Sequence, residues 1–490
     1  MNSSQIHEDV LRHLWSRQYL DVQRLVTLDG AKLSVLEPGE LNRGSGPDFR
    51  NAVIVIDRKT YRGDVEFHRS AEDWKVHSHH DDANYNSVIL HVVLHESTRG
   101  SITTSASGRL IPVLILDRFL SSPLETILEH VMRDEHLSRS RPIRCYQRND
   151  TVTADVISTW LHELSLRRLE EKSELMHRRL RQIIEEQQKE KGSLRRPEAE
   201  EDDRLRPYAW EQLLYEGIMD GLGYSKNRRQ FRELARRFSV RQLGIIRQRQ
   251  DLSVLEIQAI LFHVAGLLQG NDVSSDQASK VYLHRLRSAW ADVSGPINSS
   301  DSGSIQTMDA IEWIFSPSRP SNFPTARIAA ASHLLSKIVD RSLYTQLIGI
   351  LSDQSFSASR ALEEFTVALS LEEDPFWSFH YSFKESSPRP HSLLGVDRVR
   401  AIIVNTVIPI TFLYGKIVIA AGIQERAKEI ASIIPPQEGN AITRKIERQL
   451  LKGKLPLHLA SQQQGIIQLY TRYCVSERCG ECEVGKRVFV

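Results

Sequence analysis

GPDFRNAVIVIDRKTYRGDVEFH, residues 46–68, holds the pattern from which the fold is read. NAVIVID (51–57) and DVEFH (64–68) are short β-rich runs, and the polar RKTYRG between them, closed by Gly63, predicts a hairpin of two antiparallel strands. Asp48 stands just ahead of the first strand and Glu66 lies inside the second, so the hairpin sets two carboxylates side by side at one end of a sheet. Mg²⁺ takes oxygen ligands and keeps several waters, so such a pair, a backbone carbonyl such as that of Phe67 and a phosphate oxygen complete its shell. The ion would then activate water and stabilise charge on a phosphodiester. The plainer alternative is that Asp48 caps a turn and Glu66 faces solvent.

Outward from the hairpin, KLSVL (32–36), VILHVVL (88–94) and LIPVLIL (110–116) add strands. Ile6, Val10, Leu11, Leu14 and Trp15 recur at helical spacing from Gln5 to about Tyr19. The polar SAEDWKVHSHHDDANYNS (70–87) predicts one short helix, with Asp73 and Trp74 as a turn and its anchor. The order is helix, three strands, helix, strand, with one further strand. From about Ser121 the apolar period becomes helical, as in ISTWLHELSLRRLEEKSELMHRRLRQIIEEQQ (157–188). The division expected is therefore an α/β region, 1–120, and a mostly α-helical region, 121–490. A flexible charged loop is expected at 189–207, and SSDSGS (299–304), KESSPRP (384–390) and IPPQEGN (434–440) break the helical blocks.

Composition removes several classes. The 490 residues are 40% hydrophobic and 26% charged, enough for two or three domains with cores of their own. No apolar run approaches the roughly 18–20 residues of a membrane span. MNSSQIHEDVLRHLW lacks the basic end and apolar stretch of a signal peptide, so a bacterial-type cytoplasm is expected. A net charge of +2 names no partner.

Local clusters say more. His68, His77, His79, His80, His91 and His95 are six of eighteen histidines; His68, His91 and His95 fall on or beside strands, and His77, His79 and His80, with Asp81 and Asp82, are expected in the connection beside the acidic pair as accessory groups. Imidazoles with carboxylates support Zn²⁺, Mn²⁺ or Fe chemistry, although the spacing is not HExxH; His91, between Leu90 and Val92, reads as structural. Cys474, Cys479 and Cys482 form C-x4-C-x2-C, and Cys145 is the one other cysteine, so four thiolates would form a structural site for Zn²⁺ or an iron–sulfur cluster. Lys226–Arg249 carries nine basic residues, among them Arg228, Arg229, Arg232, Arg236 and Arg237, against Glu233 alone. That is a nucleic-acid footprint, or else the solvated side of an amphipathic helix packed through Phe231, Leu234, Ala235 and Phe238.

Pro47-Asp48 followed by Glu66-Phe67-His68 resembles the PD-(D/E)XK signature of restriction-endonuclease-like nucleases, and the element order is similar to their core. The resemblance implies an Asp48 and Glu66 metal site for Mg²⁺ or Mn²⁺, assisted by Glu8 on the first helix. His68 stands where the signature has lysine; Lys75 is the nearest substitute. Some nucleases of that superfamily also join one distant cysteine to a C-terminal triplet around an iron–sulfur cluster. GPDF (46–49), GDVEFH (63–68), DWKVHSHHDDANYNSVILHVV (73–93), RRLEEK (167–172), FHVAGLL (262–268), RPSNFPTARIA (319–329), IVNTVIP (403–409), SQQQG (461–465) and the cysteine tail, taken in order, look like the bacterial family called domain of unknown function 2851. RPSNFPT reads as a rigid loop, FHVAGLL as close helix packing through Ala265 and Gly266, and Asn405 as a satisfied buried amide, while Arg327 could meet a phosphate. Three functions stand open: a metal-dependent nuclease, a nucleic-acid-binding scaffold that keeps a nuclease-like core, and a histidine-rich metal hydrolase.

Overall fold

The computed structural model of the chain describes residues 8–16, 18–22, 24–42, 46–95, 102–120, 142–190, 207–224, 226–248, 250–269, 276–298, 306–315, 322–384 and 386–489. The charged loop over 191–206, the SSDSGS stretch, Arg249, Arg319, Pro320 and the first residues of the expected N-terminal helix lie outside them. There are two compact units. One comprises Met1–Leu164, Gly439–Pro456 and Gly465–Val490, and the other Ser165–Glu438 and Leu457–Gln464. Residues 439–456 and 465–490 thus belong with the sheet rather than with the helical remainder.

The first unit is built on a mixed sheet. Its strands are β1 (Leu33–Glu37), β2 (Glu40–Leu41), β3 (Phe49–Ile56), β4 (Lys59–His68), β5 (Val88–Val93) and β6 (Val113–Ile115), in spatial order β1-β3-β4-β5-β6 with β2 beside β3. Pairing is antiparallel from β1 to β4 and parallel from β4 to β6. The helix α1 (Glu8–Ser16) buries Leu11, Leu14 and Trp15. Trp15 meets Phe67 edge-on at 5.8 Å and donates its indole N–H to Pro38 O at 2.8 Å.

The hairpin turn is tighter than RKTYRG implied. Asp57 and Arg58 both hold positive φ, 44° and 70°, giving a two-residue turn whose twist matches the strands, and Lys59 already pairs with Ile56. Burial then rises along β4, exposed at Lys59–Arg62 and buried from Val65 to His68. Gly63 sits where β5 arrives: a Cβ there would stand 2.5 Å from Ser87 O and from Ile89 Cγ2.

The second unit is helical because its apolar residues follow that period. It includes most of α3 (Ala154–Glu190), α4 (Pro207–Leu222) and α5 (Arg228–Arg237). Ser239 with Gln242 and Ser253 with Glu256 form capping boxes that start the next two helices. Gly266 ends the second of these at φ +71°, with Met308 O where a Cβ would be, so FHVAGLL marks a helix end rather than a helix–helix contact. Among the described residues no helix is long and apolar enough to cross a membrane.

Candidate metal centre

Alternation along β4 puts Glu66 and His68 on one face and Val65 and Phe67 on the other, and the parallel register sets His91 of β5 beside Glu66. The connection after β4 delivers two more rings. Ser70 N–H donates to Asp73 Oδ2 at 3.0 Å and opens α2 (Asp73–Val76), whose Trp74 is buried with its indole N–H on Thr104 O at 2.9 Å. Ser78, at φ 61°, then ends the helix and turns the chain back, with His79 N–H on Trp74 O. His77 and His79 arrive at β4 from either side of that residue.

The donor atoms of His68, His77 and His79 lie within 4.8 Å of one another. His68 Nε2 is 3.1 Å from His77 Nδ1, and Glu66 Oε1 is 3.8 Å from His68 Nε2 and 3.5 Å from His79 Nε2. Behind them, His68 Nδ1 is 2.9 Å from His91 Nε2, and His91 Nδ1 is 2.9 Å from Thr103 Oγ1. His91 is structural, as its apolar neighbours implied. A His68 whose Nε2 lone pair is free must carry hydrogen on Nδ1, and this chain of contacts accepts it. The ring of His79 stacks on Tyr85 at 3.8 Å.

The electrostatics are those of a site short of positive charge. Burial, then the charge of Asp48, pushes the Glu66 carboxyl up to about 9. Burial, then the neighbouring His91, His79 and His77, holds His68 down to about 2, while burial and His77 lower His79 to about 4. His68 and His79 are therefore held neutral opposite a protonated carboxyl, with the His77 ring beside them, and the four side chains offer a ligand set once that carboxyl gives up its proton. Three imidazoles with one carboxylate suit Zn²⁺, Mn²⁺ or Fe²⁺ better than Mg²⁺, which prefers oxygen.

The hairpin brings the acidic pair together. Glu66 is buried, so it does not face solvent. Asp48 donates its main-chain N–H to Glu66 Oε2 at 2.9 Å. Its own carboxylate is held by Arg12 at 3.0 Å and by Phe67 N–H at 3.2 Å. Asp48 thus positions Glu66, and Glu8 is close enough to act on the Glu66 charge. His80 pairs with Asp81 at 3.1 Å and His95 with Asp117 at 2.7 Å, while Lys75 is exposed on α2. Thr103, silent in the sequence, completes the support behind His68; only the fold shows it.

The basic segment is largely committed within its own unit. Arg228 and Arg232 pair with Asp220, Arg229 with Glu312 at 2.9 Å, Arg236 with Glu216 at 3.8 Å and Arg237 with Glu233 at 2.7 Å. Phe231, Leu234 and Ala235 are buried beneath them, the amphipathic-helix alternative. Arg327 is likewise internal, donating to Leu393 O, Tyr224 Oη and Asn322 Oδ1, and Asn405 accepts from Lys172 Nζ at 2.7 Å.

No curated protein and no solved structure matches the chain. Residues 8–191 and 198–440, which include the whole histidine and carboxylate cluster and stop short of SQQQG and the cysteine tail, match the family described as Protein of unknown function (DUF2851), and the chain belongs to that family.

Proposed function

We propose that the chain is a divalent-metal-dependent hydrolase of nucleic-acid phosphodiesters, with Glu66, His68, His77 and His79 as metal ligands. The observation that carries the reading is the convergence of these four side chains, two from β4 and two from the turn after α2. The substrate class is supported by the element order of the first unit, with Pro47-Asp48 just ahead of β3, Glu66 on the adjacent β4 and a parallel β4–β5 pair, which resembles the PD-(D/E)XK core. Fold alone does not carry activity, so the substrate follows from the resemblance and the reaction type from the side chains. When bound, the ion would supply an activated water and stabilise charge on the phosphoryl oxygens. Asp48 fixes the Glu66 carboxylate, and His91 with Thr103 fixes the His68 ring.

The test titrates the metal-free chain with Zn²⁺, Mn²⁺ and Mg²⁺ separately and follows cleavage of single- and double-stranded DNA and RNA. The His77→Ala/His79→Ala protein should bind Zn²⁺ or Mn²⁺ at least ~100-fold more weakly and lose cleavage. Wild-type cleavage by that variant would overturn the ligand set. One observation favours a second reading, a nucleic-acid-binding scaffold: His68, in the lysine position, has both ring nitrogens in contact with other rings. Salt-sensitive binding without metal-dependent cleavage would select it.

A further inference from the structure

We infer that Cys145, Cys474, Cys479 and Cys482 hold a second metal centre through four thiolates, and that this centre clamps the C-terminal segment to the residues that follow the sheet. All four cysteines are free, and Cys145 and the C-terminal three, more than three hundred residues apart in sequence, belong to the same compact unit. Cys145 opens the segment that leads to α3. Asn149 directs its amide toward Cys145 Sγ at 3.8 Å and donates to Gln449 O at 2.8 Å. Lys454 Nζ donates to the carbonyls of Asn149, Asp150 and Val152, and Arg144 lies 3.8 Å from Glu477 and over the Phe489 ring. The Cys474 sulfur interacts electrostatically with those of Cys482, Cys145 and Cys479.

The C-terminal turn is shaped around sulfur. Glu477 at φ 49° reverses the chain between Cys474 and Cys479, and Gly485 lies against the Cys479 carbonyl, where a Cβ would stand 2.1 Å from the oxygen. Cys482 is buried, with the Gly485 and Val484 amides beside its sulfur.

A buried cation points the same way. Lys445 is 2% exposed, and its ammonium lies 3.1 Å from Tyr470 Oη. Burial holds its pKa below the ordinary value, while the neighbouring Cys474 acts to raise it and Arg448 to lower it. An ammonium buried against a phenol and near an arginine needs a countercharge. Four thiolates around a Zn²⁺ ion or an iron–sulfur cluster leave a net negative centre beside it. The two ions share this chemistry. Among the described residues no trio of the sulfurs is as tight as the 4.8 Å imidazole set, whereas a ZnS4 tetrahedron built on 2.3 Å bonds has edges of ~3.8 Å. A single zinc ion would have to draw the sulfurs inward.

The experiment counts metal in full-length protein purified without air, in a His77→Ala/His79→Ala background so that only the second centre contributes. About one Zn²⁺ per chain, or iron with acid-labile sulfide and visible absorption, supports the proposal and names the ion. Cys145→Ser and Cys474→Ser should each cut the bound metal at least ~10-fold, and Lys445→Gln should speed its loss to a chelator by ~10-fold. If the cysteine variants do not fold, X-ray absorption of the parent protein decides, because its metal must show a sulfur-only shell. Metal-free protein with four freely reacting thiols, or full metal content in Cys145→Ser, would overturn it.

Discussion

Two buried carboxylates, one in each unit, are handled in opposite ways. Asp374 in the helical unit is 5% exposed and its oxygens accept from Gln258 Nε2 at 2.9 Å, His333 Nε2 at 3.1 Å, Phe376 N–H at 2.9 Å and Trp377 N–H at 2.8 Å. Burial raises its pKa, but the donors from His333, Trp377, Gln258 and Phe376 outweigh that and leave it below the ordinary value. Glu66 in the sheet unit is equally buried, accepts one main-chain N–H, and faces Asp48 and neutral imidazoles, so its carboxyl is held protonated. A buried acid surrounded by donors is finished structure. One that faces other potential ligands is left without such donors, and that difference is what supports the metal centre proposed for the sheet unit.

The largest effect expected follows from the finished site. Asp374→Ala leaves an amide, an imidazole and two main-chain N–H groups buried without their acceptor, and should cost about 3–5 kcal/mol, read from the denaturant midpoint of the full chain. A midpoint within experimental scatter of wild type would erase the contrast. The pH dependence comes next. Because the folded pKa of Asp374 is depressed, its stabilisation is present above the unfolded value of 3.8 and lost as pH falls below it. The stability gap between wild type and Asp374→Asn should therefore shrink as pH drops through the carboxylate range, and a constant gap would show that the charge is not what holds the site.

Much of the sheet was legible because alternation is a local signal. NAVIVID and DVEFH became β3 and β4, and the spacing of two residues between Glu66 and His68 already put them on one face. That His77, His79 and His80 lie in the connection beside the site was legible, but that the first two converge on that face was not, since it depends on a four-residue helix and a left-handed Ser78, neither of which leaves a periodic trace. His80, next in sequence, turns to Asp81 for the same local reason. The arginine run misled in the opposite direction. A count along the chain sees nine basic residues, while Asp220, Glu216 and Glu312, which answer them, come from outside the run. Charge balance is a property of neighbours in space, and only the fold supplies those neighbours.

The smallest stability effect belongs to Glu66→Gln, and its smallness is what sharpens the comparison. A glutamine has the shape of a protonated glutamic acid and keeps an oxygen for the Asp48 N–H. In the metal-free protein at neutral pH the change should therefore cost less than about 1 kcal/mol, far below the loss expected for Asp374→Ala. The same substitution takes away the one anionic ligand of the proposed centre, so Zn²⁺ or Mn²⁺ affinity should fall at least ~10-fold while the fold persists. Calorimetric metal titration beside denaturant unfolding separates the two quantities. A variant that unfolds early would mean that Glu66 is structural in the manner of Asp374. A variant that folds and still binds metal at wild-type strength would move the ligand set onto the three imidazoles alone, which already lie within 4.8 Å of one another.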